Sequence, residues 1–200
     1  MVSQKEFFTG FELRRKLAHM LVGCAFIMLI NLFYEYSLVV ISLLFAGATL
    51  TSAVARYKRP KLLIRFLEMF DKPHDLAKFP AKGAVFYTAG ALSAVLFFPQ
   101  DIASASIAVL AFGDSISHIV GRFYGKTKVI VNEKKLLEGT IAGIIAGTIA
   151  ASFFVSFPIS FFGAAFGMMA EAVELEYLGL DDNVFIPVVS GIVMLVLISL

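Results

Sequence analysis

Apolar residues fill this chain in long blocks separated by short polar interruptions. Seven blocks can be marked, at roughly 16–34, 37–55, 83–99, 102–121, 139–157, 159–176 and 184–200. Each is close to the ~20 residues that cross about 30 Å of hydrocarbon as a helix, so seven transmembrane helices are predicted. The interruptions carry turn or interface residues: Tyr34-Glu35-Tyr36-Ser37, Pro99-Gln100-Asp101, Ser156-Phe157-Pro158 and Leu180-Asp181-Asp182-Asn183. One polar interval departs from this plainness. Between Lys61 and Phe70, apolar and charged residues alternate at helical spacing, which predicts an amphipathic helix lying on the inner leaflet. A solvated loop with incidental leucines is the simpler alternative. Glycines recur every four residues at 139, 143 and 147, and again at 163 and 167. That spacing lets helix backbones approach closely in lipid, so these glycines are read as packing residues, with Gly139 alone a candidate for the site as well. The same faces can pack within the bundle or between copies of the chain, which leaves an oligomer possible.

Composition agrees with the pattern. The chain of 200 residues is 59% hydrophobic and 16% charged, with a mean hydropathy of +0.86. Soluble domains sit near 45–50% apolar and about 25% charged, so an integral membrane protein is expected. The longest polar interval is about 25 residues, too short for a soluble core of its own. The fold class is therefore an all-α membrane bundle, one transmembrane domain over 1–200. Cys24 is the single cysteine, so neither an internal disulfide nor a cysteine metal cluster can form. The apolar run after Lys16 is too long for a signal-peptide core and is read as a retained span.

The net charge of +2 says little, but its distribution says more. Lys5, Arg14, Arg15 and Lys16 precede the first block, and eight Lys and Arg residues lie between Arg56 and Lys82. Arg122, Lys126, Lys128, Lys134 and Lys135 follow the fourth block, while the turns at 35–37, 99–101 and 157–158 carry none. The alternation predicts that the N-terminus and the basic segments face the cytoplasm, with the C-terminus outside. The partners expected on these grounds are membrane lipids, and no nucleic acid.

Candidate chemistry lies where charge enters the apolar blocks. Asp114 is twelve residues into a block that enters from outside at Ile102, or about 18 Å deep at 1.5 Å per residue. Glu171 is twelve residues past Ile159 and reaches the same depth. Glu174 shares its face, and His118 shares the face of Asp114. Ionisable groups at such depth mark functional sites and must pair or coordinate something. A divalent cation on oxygen ligands, completed by waters and substrate phosphates, would account for them. Lys82, Lys134, Lys135 and Glu138 converge on the same side, as do Asp181, Asp182 and Asn183. Asp182-Asn183 also suits a helix N-cap, although one of the two acidic residues is surplus to that role. Gly121 and Gly125 would let backbone N–H groups approach phosphate oxygens. The basic loop equally suits anionic lipid head groups. His19 reads either as an interfacial residue or as part of the site.

Four elements in order resemble the polyprenol kinase family of membrane enzymes, which includes dolichol kinase, phytol kinase and the CTP-dependent diacylglycerol kinase. Arg15-Lys16-Leu17-Ala18-His19 matches its early Arg-Lys-x-x-His element. Gly113, Asp114, Ser117, Gly121 and Gly125 match its central glycine-aspartate element. Lys134-Lys135-Leu136-Leu137-Glu138-Gly139 corresponds loosely to its lysine and glutamate-glycine element, departing from it at Leu136-Leu137. Glu174 followed by Asp182, Asn183 and Pro187 matches the last. The resemblance implies transfer of the γ-phosphate of CTP to the hydroxyl of a polyprenol, dolichol-like or other lipid alcohol, with Mg²⁺ as cofactor. It implies catalytic roles for Asp114, Lys135 and Glu138, and metal ligation by Asp114, Glu174 and Asp182. Nucleotide contacts would fall to His19, Lys82, Gly113, Gly121, Arg122, Gly125, Lys126, Lys134, Gly139 and Asn183. The central element is also similar to part of the phosphatidate cytidylyltransferase family, whose long C-terminal signature has no counterpart here. A small ion-coupled carrier is the non-enzyme alternative, since intramembrane carboxylates also mark ion paths.

Overall fold

The computed structural model describes residues 4–129, 132–173 and 181–200. Helix α1 (Gln4–Leu32) turns through Phe33 directly into α2 (Tyr34–Tyr57). Two short helices follow, α3 (Lys61–Leu67) and α4 (Pro73–Lys78), and lead into α5 (Lys82–Phe97). The next helix runs unbroken from Gln100 to Tyr124 in three parts: α6 (Gln100–Ala108), a π-helical segment (Val109–Asp114) and α7 (Ser115–Tyr124). A small antiparallel hairpin, β1 (Lys128–Val129) and β2 (Asn132–Leu136), sets Lys128 opposite Leu136 and Val129 opposite Asn132. Helices α8 (Leu137–Ala151), α9 (Phe157–Val173) and α10 (Asp182–Ser199) complete the chain.

Among the described residues, each of the seven apolar blocks contains a helix. Four helices are long and apolar enough to cross a membrane: Gly10–Leu32, Tyr34–Tyr57, Gln100–Tyr124 and Asp182–Ser199. The helices at Lys82–Phe97, Leu137–Ala151 and Phe157–Ala172 are apolar but shorter. The fifth block, expected to continue to 157, stops as a helix at Ala151, where the Phe154 and Val155 N–H groups return to the Ala151 carbonyl and close a turn. Helix α1 begins well before the expected 16, because the polar residues ahead of the block continue the same helix and stabilise it with an Arg15–Glu12 pair three residues apart. The amphipathic segment forms α3 as predicted, whereas α4 and the hairpin lie in stretches read only as loop.

The Gln100–Tyr124 helix is the axis of the bundle. Its most apolar stretch is 78% buried, against 17–28% for the other three spanning helices. Helices α1, α5, α8, α9 and α10 surround it, and α2 packs outside against α5. The sequence explains the choice of axis. Ala103, Ser104, Ala105, Ser106, Ala108 and Ala111 are all buried, and small residues let neighbouring backbones close in where lipid supplies no hydrophobic drive between helices. Ile102, Ile107 and Leu110 fill the space between, against Ile30, Met168, Ile186 and Met194.

Glycines set the closest approaches. A Cβ on Gly90 of α5 would strike the carbonyl of Asn183 at the start of α10, and one on Gly191 would strike the ring of Phe98. Gly90→Ala must push α5 and α10 apart. It is expected to lower stability by about 1–3 kcal/mol, the usual cost of overpacking. Gly47→Ala on α2, where nothing lies within 4 Å, should leave stability unchanged or slightly raised. Thermal unfolding of the two variants in detergent, followed by loss of the monodisperse peak, checks the contrast.

Candidate functional site

The site begins with a local irregularity. The π-helical turns at Val109–Asp114 hold more residues than α-turns and so change the phase of the helix at the acidic residue. Asp114 ends the segment and is 7% exposed. Its Oδ2 accepts a hydrogen bond from the buried Lys16 Nζ at 2.6 Å and lies 3.4 Å from His19 Nε2. Lys16 and His19 are three residues apart on α1 and share a face. Tyr87 of α5 holds that face in place. Its ring meets the His19 ring edge-on at 4.2 Å, and its hydroxyl donates to the His19 carbonyl at 3.0 Å. Phe26 also stacks on Tyr87 at 5.8 Å, and the Ser115 hydroxyl donates to the Lys16 carbonyl at 3.4 Å. One turn earlier on α1, Glu12 pairs with Arg15 at 2.8 Å and lies 3.9 Å from His118 Nε2.

A second group lies within electrostatic reach of the first. Lys135, carried by β2, reaches Glu171 of α9 at 2.5 Å and Asp182 of α10 at 3.5 Å. Glu171 is 3% exposed. Burial opposes the Lys135 charge, but Glu171 and Asp182 more than offset it and hold the ammonium above the usual lysine range. The charges of Lys135, Glu171 and Asp182 all act on Asp114, so the two groups form one electrostatic cluster. Lys82, at the start of α5, pairs with Asp181 at 3.1 Å. Asp181 also caps α10, accepting from the Asn183 N–H at 3.2 Å and from the Asn183 side-chain amide at 2.6 Å. The cap is therefore Asp181, one residue before the pair expected from sequence. Asp182 is the surplus acid, and it is the one that meets Lys135.

The loop residues divide into clamps and packing contacts. The Glu138 carboxylate accepts from the Lys126 N–H at 3.1 Å, the Thr127 N–H at 3.1 and 3.2 Å, and the Thr127 hydroxyl at 2.9 Å. It ties the start of the hairpin to the start of α8, and Lys126 enters through its backbone. Gly121 and Gly139 meet where α7 crosses α8, so a Cβ on Gly139 would collide with the Ser117 carbonyl and the Gly121 backbone. Gly125 sits against Leu136 and the Gly121 carbonyl, and Gly113 against Met168 and the Gly143 carbonyl. All four glycines lie at helix and hairpin contacts. Arg122 lines a shallow recess with Glu12, Leu13, His118, Ile119 and Phe123. Lys134 lies on β2 next to Lys135. Glu174 lies outside the described residues.

Among the described residues, no three His, Cys, Asp or Glu side chains converge as a metal cage. The acidic groups that act on Asp114 are all carboxylates, however. Mg²⁺ binds through one or two carboxylates together with substrate phosphates and does not need a protein cage, so the donor chemistry fits that ion. Sequence reading placed Lys16 in the early Arg-Lys-x-x-His element and among the orientation-setting cations without a site role, marked Glu171 by its depth as a group that must pair or coordinate but named Glu174 as the ligand, and passed over Tyr87. The depth coincidence of Glu171 with Asp114 was the available signal for one of them. Lys16 and Tyr87 are recognised only once α1, α5 and the central helix are brought together.

Two tests follow from this geometry. Removing one partner of a buried ion pair costs about 3–5 kcal/mol, so Lys16→Met should destabilise strongly, and adding Asp114→Asn to it should recover much of the loss. Thermal unfolding of the four-member cycle measures the coupling. Glu138 is held down from 4.5 to about 2 by its own backbone N–H, then by those of Lys126 and Thr127. A depressed carboxylate stabilises above its unfolded value and loses that contribution as pH falls through the folded one. Hydrogen-exchange protection of Lys126 and Thr127 should therefore hold from neutral pH to about 4.5 and decline towards about 2, while Glu138→Gln weakens it at neutral pH.

No family model matches the chain, and no solved structure does. Phytol kinase 1, chloroplastic, of Arabidopsis thaliana is 28% identical over 138 residues, covering 66% of this chain and 44% of that protein. The chain spans less than half the length of that curated relative, to which it is distantly similar.

Proposed function

We propose that this chain is a membrane kinase that transfers the γ-phosphate of CTP to the hydroxyl of a lipid alcohol, giving a lipid phosphate and CDP. The observation that carries the reading is the buried Lys16–Asp114 pair together with the Lys135–Glu171–Asp182 group, whose lysine bears electrostatically on the same aspartate. The distant similarity to a phytol kinase supports the lipid alcohol as acceptor class. CTP as donor, a polyprenol as acceptor and Mg²⁺ as cofactor come from the motif resemblance and are part of the proposal.

Phosphoryl transfer needs positioning and neutralisation more than covalent help. In this reading the acceptor hydroxyl is oriented by Asp114. Its oxygen bonds to the γ-phosphorus, the bond from that phosphorus to the β–γ bridging oxygen breaks, and CDP leaves. The hydroxyl proton passes to the Asp114 carboxylate. A carboxylate already paired with Lys16 is a weak base, which suffices where the transition state is loose. Lys135 and Lys82, with Arg122 and Lys134 nearby in sequence, neutralise the triphosphate. Asp114 and Asp182 would hold Mg²⁺, which when bound adds charge neutralisation to the phosphates; Glu174 is a further ligand by the resemblance. Lys16 holds Asp114 turned toward α1, and His19, fixed by Tyr87 beside that carboxylate, is a nucleotide contact by the resemblance. Glu138 holds the hairpin that carries Lys135, and Asn183 fixes the Asp181 cap beside it. The acceptor tail enters sideways from lipid, and the basic end faces the cytoplasm.

Purified protein, Mg²⁺ and a pool of polyprenol, phytol and diacylglycerol test the proposal with CTP labelled separately at the γ and α phosphates. Label should reach lipid from the γ position alone. Asp114→Asn should abolish transfer while leaving membrane insertion intact, and Lys135→Met should reduce turnover by about a hundredfold, in line with loss of one preorganised charge contact. Transfer from the α position would make the protein a cytidylyltransferase. No transfer from either position would favour a carrier.

A further inference from the structure

The corner between α2 and α5 carries a second feature that the proposed reaction does not use. Helix α3 is apolar on two sides. Leu67 is buried, with Leu63 and Ile64 packed beside it, in a small separate core with Ala55 at the end of α2, Leu76 of α4 and Ala81 before α5. Leu62 and Phe66, four residues apart on α3, and Met69 just after it form another stripe, exposed by 82%, 58% and 44%. The inner stripe already has its partners, so the outer one is not needed to fold the corner.

Charge shows what the outer stripe faces. Arg56, Lys58, Arg59, Lys61 and Arg65 are all exposed around it, and Glu68 is the one acid between Arg56 and Phe70. Lys61 and Arg65 are themselves one turn apart and run beside Leu62 and Phe66. Arg59 breaks the chain direction between the helices in a left-handed conformation, with φ of 47°, and so keeps α3 from continuing the line of α2. Rows of apolar side chains flanked by long cations fit the head-group boundary of an anionic leaflet, where the apolar groups enter the acyl region and the cations meet lipid phosphates. The corner is also fastened to the body of the protein. Arg14 of α1 donates to the Met69 carbonyl at 2.9 Å, and Asp71 accepts the Ala81 N–H at 2.6 Å.

We infer that the α2–α3 corner is a docking surface for anionic phospholipid, with Leu62, Phe66 and Met69 inserted and Lys58, Arg59, Lys61 and Arg65 on the head groups. This surface is independent of the kinase reading, and its test uses no turnover. The chain contains no tryptophan, so Phe66→Trp introduces a single fluorophore, with Leu62→Trp as a second reporter should the first variant not fold. The labelled protein is placed in nanodiscs of equal parts phosphatidylcholine and phosphatidylglycerol, with bromine on the acyl chains of one lipid or the other. Brominated phosphatidylglycerol should quench about twofold more strongly than brominated phosphatidylcholine, as expected where several cations each gain from an anionic surface. Changing Lys58, Arg59, Lys61 and Arg65 together to Gln should make the two lipids equal. Equal quenching by both lipids in the charged protein would overturn the preference for anionic lipid. Quenching by neither would overturn the membrane contact itself and turn attention to a second copy of the chain or another protein as the occupant.

Discussion

The buried ion pair between Lys16 and Asp114 joins residues 98 positions apart and holds the first helix to the axis of the bundle. A carboxylate and an ammonium removed from water are costly singly and tolerable together. Once that pair is made, the geometry around it is narrow. The His19 ring must lie beside the carboxylate, Tyr87 must lie against the ring, and α5 is fixed relative to α1 by a hydroxyl bonded to a backbone carbonyl. The same carboxylate feels Lys135, which draws the ends of α9 and α10 into the arrangement. Stability and candidate chemistry are thus located in the same few side chains.

The apolar blocks were legible because a helix that crosses lipid needs a long apolar run; among the described residues each block contains a helix, and four of those helices are long enough to cross a membrane. The helix at Lys61–Leu67 was legible because apolar and charged residues alternate there at helical spacing. The depth of Asp114 and Glu171 could be counted residue by residue, and their charges do act on one another. What the sequence concealed depends on relations between helices. The hairpin is short and leans on Glu138, twelve residues from the Lys126 amide that it clamps. The partner of Asp114 was hidden among cations that any inward-facing segment would carry. Glycine letters alone could not separate backbone contact with phosphate from contact with another helix, and the structure places Gly113, Gly121, Gly125 and Gly139 in helix and hairpin contacts.

The acidic start of α10 shows how one sequence feature divides its work. Asp181 satisfies the helix end and meets Lys82, and Asp182 turns to Lys135. Neighbouring carboxylates in one helical turn thereby tie α5 and the hairpin to a single helix start. Gly90, two turns into α5, lets that helix approach the Asn183 carbonyl, so the start of α10 lies against the same helix that the Lys82–Asp181 pair joins to it.

The π-helical segment sets the rotational phase of everything that follows it on the central helix. Helix α6 is oriented by its small buried face, and Asp114 and His118 by α1, and the wide turns let both demands be met on one axis. A chain one residue shorter within Val109–Leu110-Ala111-Phe112 would keep the same hydropathy profile and the same motif letters. Its aspartate would nonetheless be rotated by about 100°, one residue's share of a helical turn, away from Lys16. Motif agreement in this chain is therefore a statement about composition until the helical phase is known, and an alignment that absorbs a one-residue gap there would join two different sites.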